Sequence, residues 1–189
     1  MRVVMMTDPA PAVTWEEADQ HLRLEGDEEQ KSYVEALIAA ATAHIDGPDG
    51  WLGRSLGTRE LEAHFSLLTV GSSLRLPFGP VLSLVSAYYL DRNGDEHQAD
   101  LANFAFSGDR IVPAQGGWPW EGGSLLPEGG RLRYRAGYQS VPAPIKAAIL
   151  LIVGDLFHSR ATVATGSTMA SVPLTVGVEA LLQPYRVYR

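Results

Sequence analysis

Histidine and carboxylate side chains come nearest to one another between positions 91 and 100. Asp95-Glu96-His97 with Asp100 is the densest group of potential metal ligands, and Asp91, Asn93 and Asp95 reproduce the opening of a calcium loop. The chemistry available there is divalent-cation binding, or hydrolysis by a metal-activated water held near Asp95, His97 and Asp100. The calcium pattern then breaks, because Glu96 stands where the loop needs Gly and Ala102 where it needs its closing Glu. The five histidines (His21, His44, His64, His97 and His158) include no HExxH pair, and no two lie three to five residues apart. Asp155 and His158, three apart, suit a hydrogen bond on a helix surface. Two readings of 91–100 stay open: a solvated hairpin tip, or the metal site of a small hydrolase.

Other chemistries are excluded more directly. The chain has no Cys, so disulfides, thiolate metal sites and a Cys nucleophile are ruled out. The only lysines, Lys31 and Lys146, follow no phosphate loop. Gly pairs at 116–117, 122–123 and 129–130 punctuate a loop without the capped helix that a dinucleotide fingerprint requires. The expectation is a protein without metal or cofactor.

The elements that must position these residues fall into three stretches. Residues 1–12, rich in Pro and Ala, suggest a mobile arm. Thr14-Trp15-Glu16-Glu17 has the form of a capping box and opens a helix over 14–22. A second helix over 27–46 has Glu28 and Glu29 in its first turn and an apolar stripe of Val34, Leu37, Ile38, Ala41 and Ile45. From about 58 to 138 the pattern is strand and turn. Leu61, Ala63 and Phe65 alternate with charged residues, Asp91-Arg92-Asn93-Gly94 and Gly108-Asp109 suit hairpins, and 131–135 alternates with three Arg on one face. This predicts an antiparallel sheet of four to six strands. Pro144 then opens a third helix over 143–160, apolar on so many sides that it lies either at the centre of a core or against another subunit. The expected fold is α+β: a small bundle of three main helices with the sheet inserted between the second and third. The domain division is an arm (1–12), a core (13–160), and a linker with a C-terminal docking arm (161–189).

Length and charge complete the frame. The chain has 189 residues, enough for one sizeable domain or two small ones, and 46% are hydrophobic, as in a globular protein. The longest apolar run, 147–153, falls short of the ~20 residues a membrane span needs. Met1 to Met6 is too short for a signal-peptide core, so a soluble intracellular protein is expected. Residues 1–50 carry a net charge of −8, 51–130 of −4 and 131–189 of +5. Tight sequence-independent nucleic-acid binding does not suit such a balance. An acidic head and basic tail suit a subunit whose ends meet different partners, or chance clustering on solvated faces.

Contact hardware is what remains. Trp118-Pro119-Trp120 is either an aromatic interface anchor or a cap on the open end of the sheet. Arg131, Arg133 and Arg135 are further anchor candidates. The tail after the small-residue linker 161–171 is too apolar and aromatic to hang in water, and docks either on its own core or on another chain. Its docking candidates are Val178, Leu181, Leu182, Pro184, Tyr185 and Arg186.

These residues, in order, resemble a known family. Thr14-Trp15-Glu16-Glu17-Ala18, His21-Leu22-Arg23, Asp27-Glu28-Glu29 and the helix from Val34 to Ala41 are similar to the N-terminal half of the head–tail connector (adaptor, or head-completion) proteins of long-tailed bacteriophages. Ala136-Gly137-Tyr138 running into Val141-Pro142-Ala143-Pro144-Ile145-Lys146 resembles that family's next helix, and Val172-Pro173, Gly177 to Leu182 and Pro184-Tyr185-Arg186 its C-terminal end. The similarity is to the longer, sheet-containing branch also found in prophages and gene transfer agents. Asp46-Gly47-Pro48-Asp49-Gly50 departs from the family pattern, and Arg54 follows it where a Thr-Gly-Arg element is usual.

The resemblance implies a non-enzymatic subunit of a ring of about twelve copies beneath the portal. It implies a virion location at the head–tail interface, with assembly in the host bacterial cytoplasm. Portal protein on one side and a stopper or tail-completion protein on the other are the implied partners, with DNA passing unbound through the channel and no membrane involved. A neighbouring ring protein, such as a stopper or tail terminator, and the small metal-dependent hydrolase are the alternatives.

Overall fold

The computed structural model describes residues 1–120, 122–159 and 176–188. Its elements in chain order are β1 (Arg2–Met5), α1 (Trp15–Leu22), α2 (Glu28–Ile45), β2 (Arg59–Phe65), β3 (Leu74–Arg75), β4 (Val81–Leu90), β5 (Glu96–Ala99), β6 (Phe104–Ser107), β7 (Arg110–Pro113), β8 (Gly130–Ala136), α3 (Ala143–His158) and α4 (Val176–Leu182). The architecture is α+β, with antiparallel sheet between α2 and α3. The chain divides into two compact units, Met1–Ala10 with Arg54–Gln139 and Pro11–Gly53 with Ser140–Arg189. That division cuts through the expected single core of 13–160, because the sheet and the helices each bury their own apolar faces.

The first unit is built of strands, with short 3-10 turns at Leu67–Thr69 and Leu101–Asn103. One sheet has the order β1-β2-β8-β4-β5 and a smaller one β3-β7-β6. Alternation along β2 and β8 sends Leu61, Ala63, Phe65, Leu132, Tyr134 and Ala136 into one core, joined by Leu74, Leu76, Phe104 and Ile111 from around the smaller sheet. Burial raises the Tyr134 phenol well above its ordinary range. Its hydroxyl donates to the Pro77 carbonyl at 2.7 Å, so this buried phenol is satisfied. Two glycines allow the backbone to close: a Cβ on Gly57 would overlap the Ala10 carbonyl oxygen, and one on Gly137 (φ +114°) the Gly57 carbonyl.

Residues 1–12, expected to be a mobile arm, instead begin with β1, which pairs antiparallel with β2 from Arg2 opposite His64 to Met5 opposite Leu61. Four residues are too few for a periodicity to register in sequence, and the partner lies far along the chain. The two predicted hairpins are present as β4–β5 and β6–β7.

The second unit is helical. Thr14 caps α1 as a reciprocal box: its hydroxyl accepts from the Glu17 amide and its amide donates to the Glu17 carboxylate. The α2 stripe is buried at Val34, Ile38, Ala41 and Ile45. α3 packs on α1, α2 and α4 and buries Ile145, Ala148, Ile149 and Val153, which gives it the central place in this unit. Residues 176–182, read in sequence as part of an extended arm, form α4, because Val178 and Leu182 lie one helical turn apart and both find cover. The linker 161–171 lies outside the described residues.

Lys146 on α3 donates to Glu17 on α1 at 2.6 Å. That hydrogen bond, and then the one from Thr14, hold the Glu17 carboxyl below its ordinary range. A carboxyl whose pKa is lower folded than unfolded adds stability above the unfolded pKa, and loses it as pH falls through the folded one. Glu17→Gln should therefore lower Tm at neutral pH, and the gap to the parent should close as the pH drops below about 4, the unfolded carboxylate range. Thermal melts at stepped pH check this.

Candidate interaction surfaces

The outward face of the five-stranded sheet is a lattice of opposite charges. Arg131, Arg133 and Arg135 on β8 stand opposite His64, Glu62 and Glu60 on β2. Arg133 reaches Glu62 at 3.2 Å and Arg135 reaches Glu60 at 3.2 Å. Arg131 pairs with Glu96 of β5 at 2.9 Å and lies over the Tyr88 ring, 4.8 Å from its centroid. Glu62 is buried, and its other oxygen lies 3.0 Å from His64 Nε2. Arg2 on β1 closes the row with two hydrogen bonds to Glu128, at 2.7 and 2.6 Å, which hold that carboxyl below its ordinary range. The three candidate arginines are thus brought together on one face, each already engaged by a glutamate. A face so balanced gives phosphate little to grip.

Trp118 and Trp120 stack at 4.8 Å with 9° between their planes. Trp120 is only 5% exposed and packs on Phe65 and Phe104. Trp118 is half-buried, and its indole N–H donates to the Gly71 carbonyl at 2.7 Å. Trp120 is therefore a core residue, and Trp118 alone offers part of its surface. Beside it, Leu67, Leu68, Arg92 and Leu125 line a groove of about 450 Å³, with Leu68 and Leu125 well exposed. Trp120→Ala should cost about 3–5 kcal/mol, as other large aromatic truncations in cores do. Trp118→Ala should cost clearly less, and chemical denaturation of the two variants checks the order.

The six tail candidates split by environment. Val178 and Leu182 are buried within the helical unit, Leu181, Tyr185 and Arg186 are half-buried, and Pro184 is exposed. Arg186 lies over the Trp51 ring at 4.1 Å, and the Val187 amide donates to the Leu52 carbonyl at 2.9 Å. Of the two docking readings, the described part of the tail follows the one in which it packs on its own unit.

The 91–100 cluster is spread over separate tasks. His97 meets Asp91 at 3.1 Å across the hairpin, Glu96 holds Arg131, and Asp100 accepts from the Ala102 amide as an N-cap. Asp91 is held below its ordinary range by the His97 contact and then by turn amides. Among the described residues no three of His, Asp and Glu converge as metal ligands. The glutamates that engage the arginines form no motif of their own in the sequence. Their signal was the charged half of the β2 alternation, which acquires a partner only once β8 is set beside it.

No protein-family model matches the chain, and no curated protein matches it. Solved structures do. The chain is similar to one in the neck of an empty gene transfer agent (GTA) particle computed with C6 symmetry, at 22% identity and a TM-score of 0.68, over 100% of this chain and 97% of that one. It is similar to one in the neck of a native GTA particle computed with C12 symmetry, at 21% identity and a TM-score of 0.67, with the same coverage. A chain from the virion of a native GTA particle gives 22% and 0.66, again with that coverage. Identities this low establish a shared fold over the full length.

Proposed function

We propose that this chain is a structural, non-enzymatic adaptor of a phage-like particle. Copies form a ring beneath the portal, continue the DNA channel and join capsid to tail. The likeness that carries the reading runs over the whole chain to chains from particle necks, one of them computed with twelvefold symmetry. The ordered motifs from Thr14 to Arg186 support it from the sequence side. A ring of about a dozen copies, portal above and a stopper or tail-completion protein below, follows from the family resemblance. So does assembly in the host cytoplasm before incorporation into the virion.

The tail contributes to portal docking through what its own unit leaves uncovered, chiefly Leu181, Pro184 and Tyr185, while Val178 and Leu182 hold it in place. Arg186, stacked on Trp51, fixes the direction of the segment between them. Many such modest contacts in one ring add up by avidity. Trp118 and the Arg131-Arg133-Arg135 face are proposed for contacts between ring neighbours, where paired charges set register more than affinity.

Deleting the chain from a particle-producing strain should leave DNA-filled heads and separate tails in electron micrographs. Intact tailed particles would overturn the proposal. Purified portal should bind the adaptor directly, which separates it from a stopper or a terminator that needs the adaptor first.

A further inference from the structure

The five-stranded sheet ends in two open edges of equal length, β1 (Arg2–Met5) and β5 (Glu96–Ala99). Every neighbouring pair in it is antiparallel, so with five strands the two edges run in the same direction. The hydrogen-bond phase of each edge is fixed. The Met6 amide donates to Glu60, which makes Arg2 and Val4 the residues bonded to β2 and turns the N–H and C=O of Val3 and Met5 outward. The Asp91 amide donates to Asp95, which makes His97 and Ala99 the residues bonded to β4 and turns those of Glu96 and Gln98 outward. Among the described residues nothing hydrogen-bonds to either outer edge.

The geometry points to β1 of one copy adding to β5 of the next as a parallel strand, with Arg2 beside Glu96, Val3 beside His97, Val4 beside Gln98 and Met5 beside Ala99. In a parallel pair, a residue with both groups turned toward its neighbour bonds the residues before and after the one beside it. Val3 in this register donates to the Glu96 carbonyl and accepts from the Gln98 amide, and Met5 then donates to the Gln98 carbonyl. The same register keeps the faces continuous. Arg2 and Val4 join Glu96 and Gln98 on the charged side, and Val3 and Met5 join His97 and Ala99 on the core side. Arg2 arrives next to a carboxylate, extending the charge row by one strand.

An antiparallel join of β1 to β5 fails this test. It would set Val3 opposite Glu96 or Gln98 and place core-side residues on the charged side. β1 carries no Pro and no bulge to guard its edge, and Met5 is 55% exposed. A β1-to-β5 contact is head-to-tail, the kind that closes into rings. It rests on the ring reading above and names the surface that joins the copies.

The absence of Cys makes cross-linking clean. Val4→Cys and Gln98→Cys single variants of the full chain, mixed at millimolar protein with a short bifunctional thiol reagent, should give a mixed dimer. The double variant should give a ladder of multimers. Val3→Pro, which removes an outward N–H and leaves the β1–β2 bonds intact, should cut the mixed adduct by about tenfold, the effect of ~1.4 kcal/mol. Val4→Cys cross-linking to itself as well as to Gln98→Cys would show two β1 edges meeting and overturn the proposal. So would a mixed yield no higher than for an Ala39→Cys control on the exposed side of α2. If such a failure came with tail-less heads from the deletion strain, the adaptor reading would stand and the edge pairing alone would fall.

Discussion

Removing residues 176–189 should lower the melting temperature sharply and cost much of the helical content. Val178 is 1% exposed and Leu182 fully buried, and α4 packs directly on α3, the central helix of its unit. Burying one such side chain contributes about 1.5–3 kcal/mol. Losing both, together with the Arg186–Trp51 stack, removes several kcal/mol from a fold whose whole stability is ~5–15 kcal/mol. Truncation also strips cover from α3 and puts its apolar side chains in water. Leu182→Ala alone should cost about 2–5 kcal/mol. Thermal circular dichroism reads both variants. A truncated chain that melts like its parent would mean the tail contributes to partners and not to its own unit.

Gly57→Ala should be at least as damaging, in the other unit. The new methyl group would overlap the Ala10 carbonyl, whose amide donates to the Thr58 carbonyl at 3.1 Å, and a backbone carbonyl cannot swing aside as a side-chain end can. Overpacking of this sort costs about 1–3 kcal/mol where side chains can adjust, and more where they cannot. Gly137→Ala adds a left-handed φ of +114° to a second backbone overlap, with strain of about 1–3 kcal/mol. Both variants should lose soluble yield and the cooperative urea transition of the sheet. Gly26→Ala is the control, because its φ is +79° but nothing lies within 4 Å of the added carbon, so about 1 kcal/mol is expected. Equal effects at positions 26 and 57 would show that backbone conformation, not the close approach, governs both.

The helices and hairpins were legible in the sequence because their causes are local. A capping box, an i, i+3, i+4 stripe and a short polar turn each act within a few residues, and α1, α2 and the β4–β5 and β6–β7 hairpins follow from them. What was not legible depends on distant partners. β1 is a strand because β2 waits for it, and α4 is a helix because α3 offers a place for Val178 and Leu182. The aromatic pair shows the same limit within one tripeptide: composition cannot tell Trp120, enclosed by Phe65 and Phe104, from Trp118, half in solvent. The arginines were visible as a row but their glutamates were not, since register between β2 and β8 is a fact of tertiary pairing. Asp95, His97 and Asp100 looked like one cluster because they are close in sequence, and the hairpin sends them to different partners.

The insertion of the sheet between α2 and α3 also has a consequence for how the chain comes off the ribosome. α1 and α2 are made early, but α3, which packs on both, is synthesised only after the strands from β2 to β8 have emerged. Until then the side of α2 that α3 will cover is open to solvent, and the nascent chain carries that apolar surface through much of its synthesis. The strands meanwhile have β4–β5 and β6–β7 to form as local hairpins, with β8 arriving soon after to lie between β2 and β4. Sheet before bundle is the order this connectivity favours, with early helices dependent on whatever shields them while they wait.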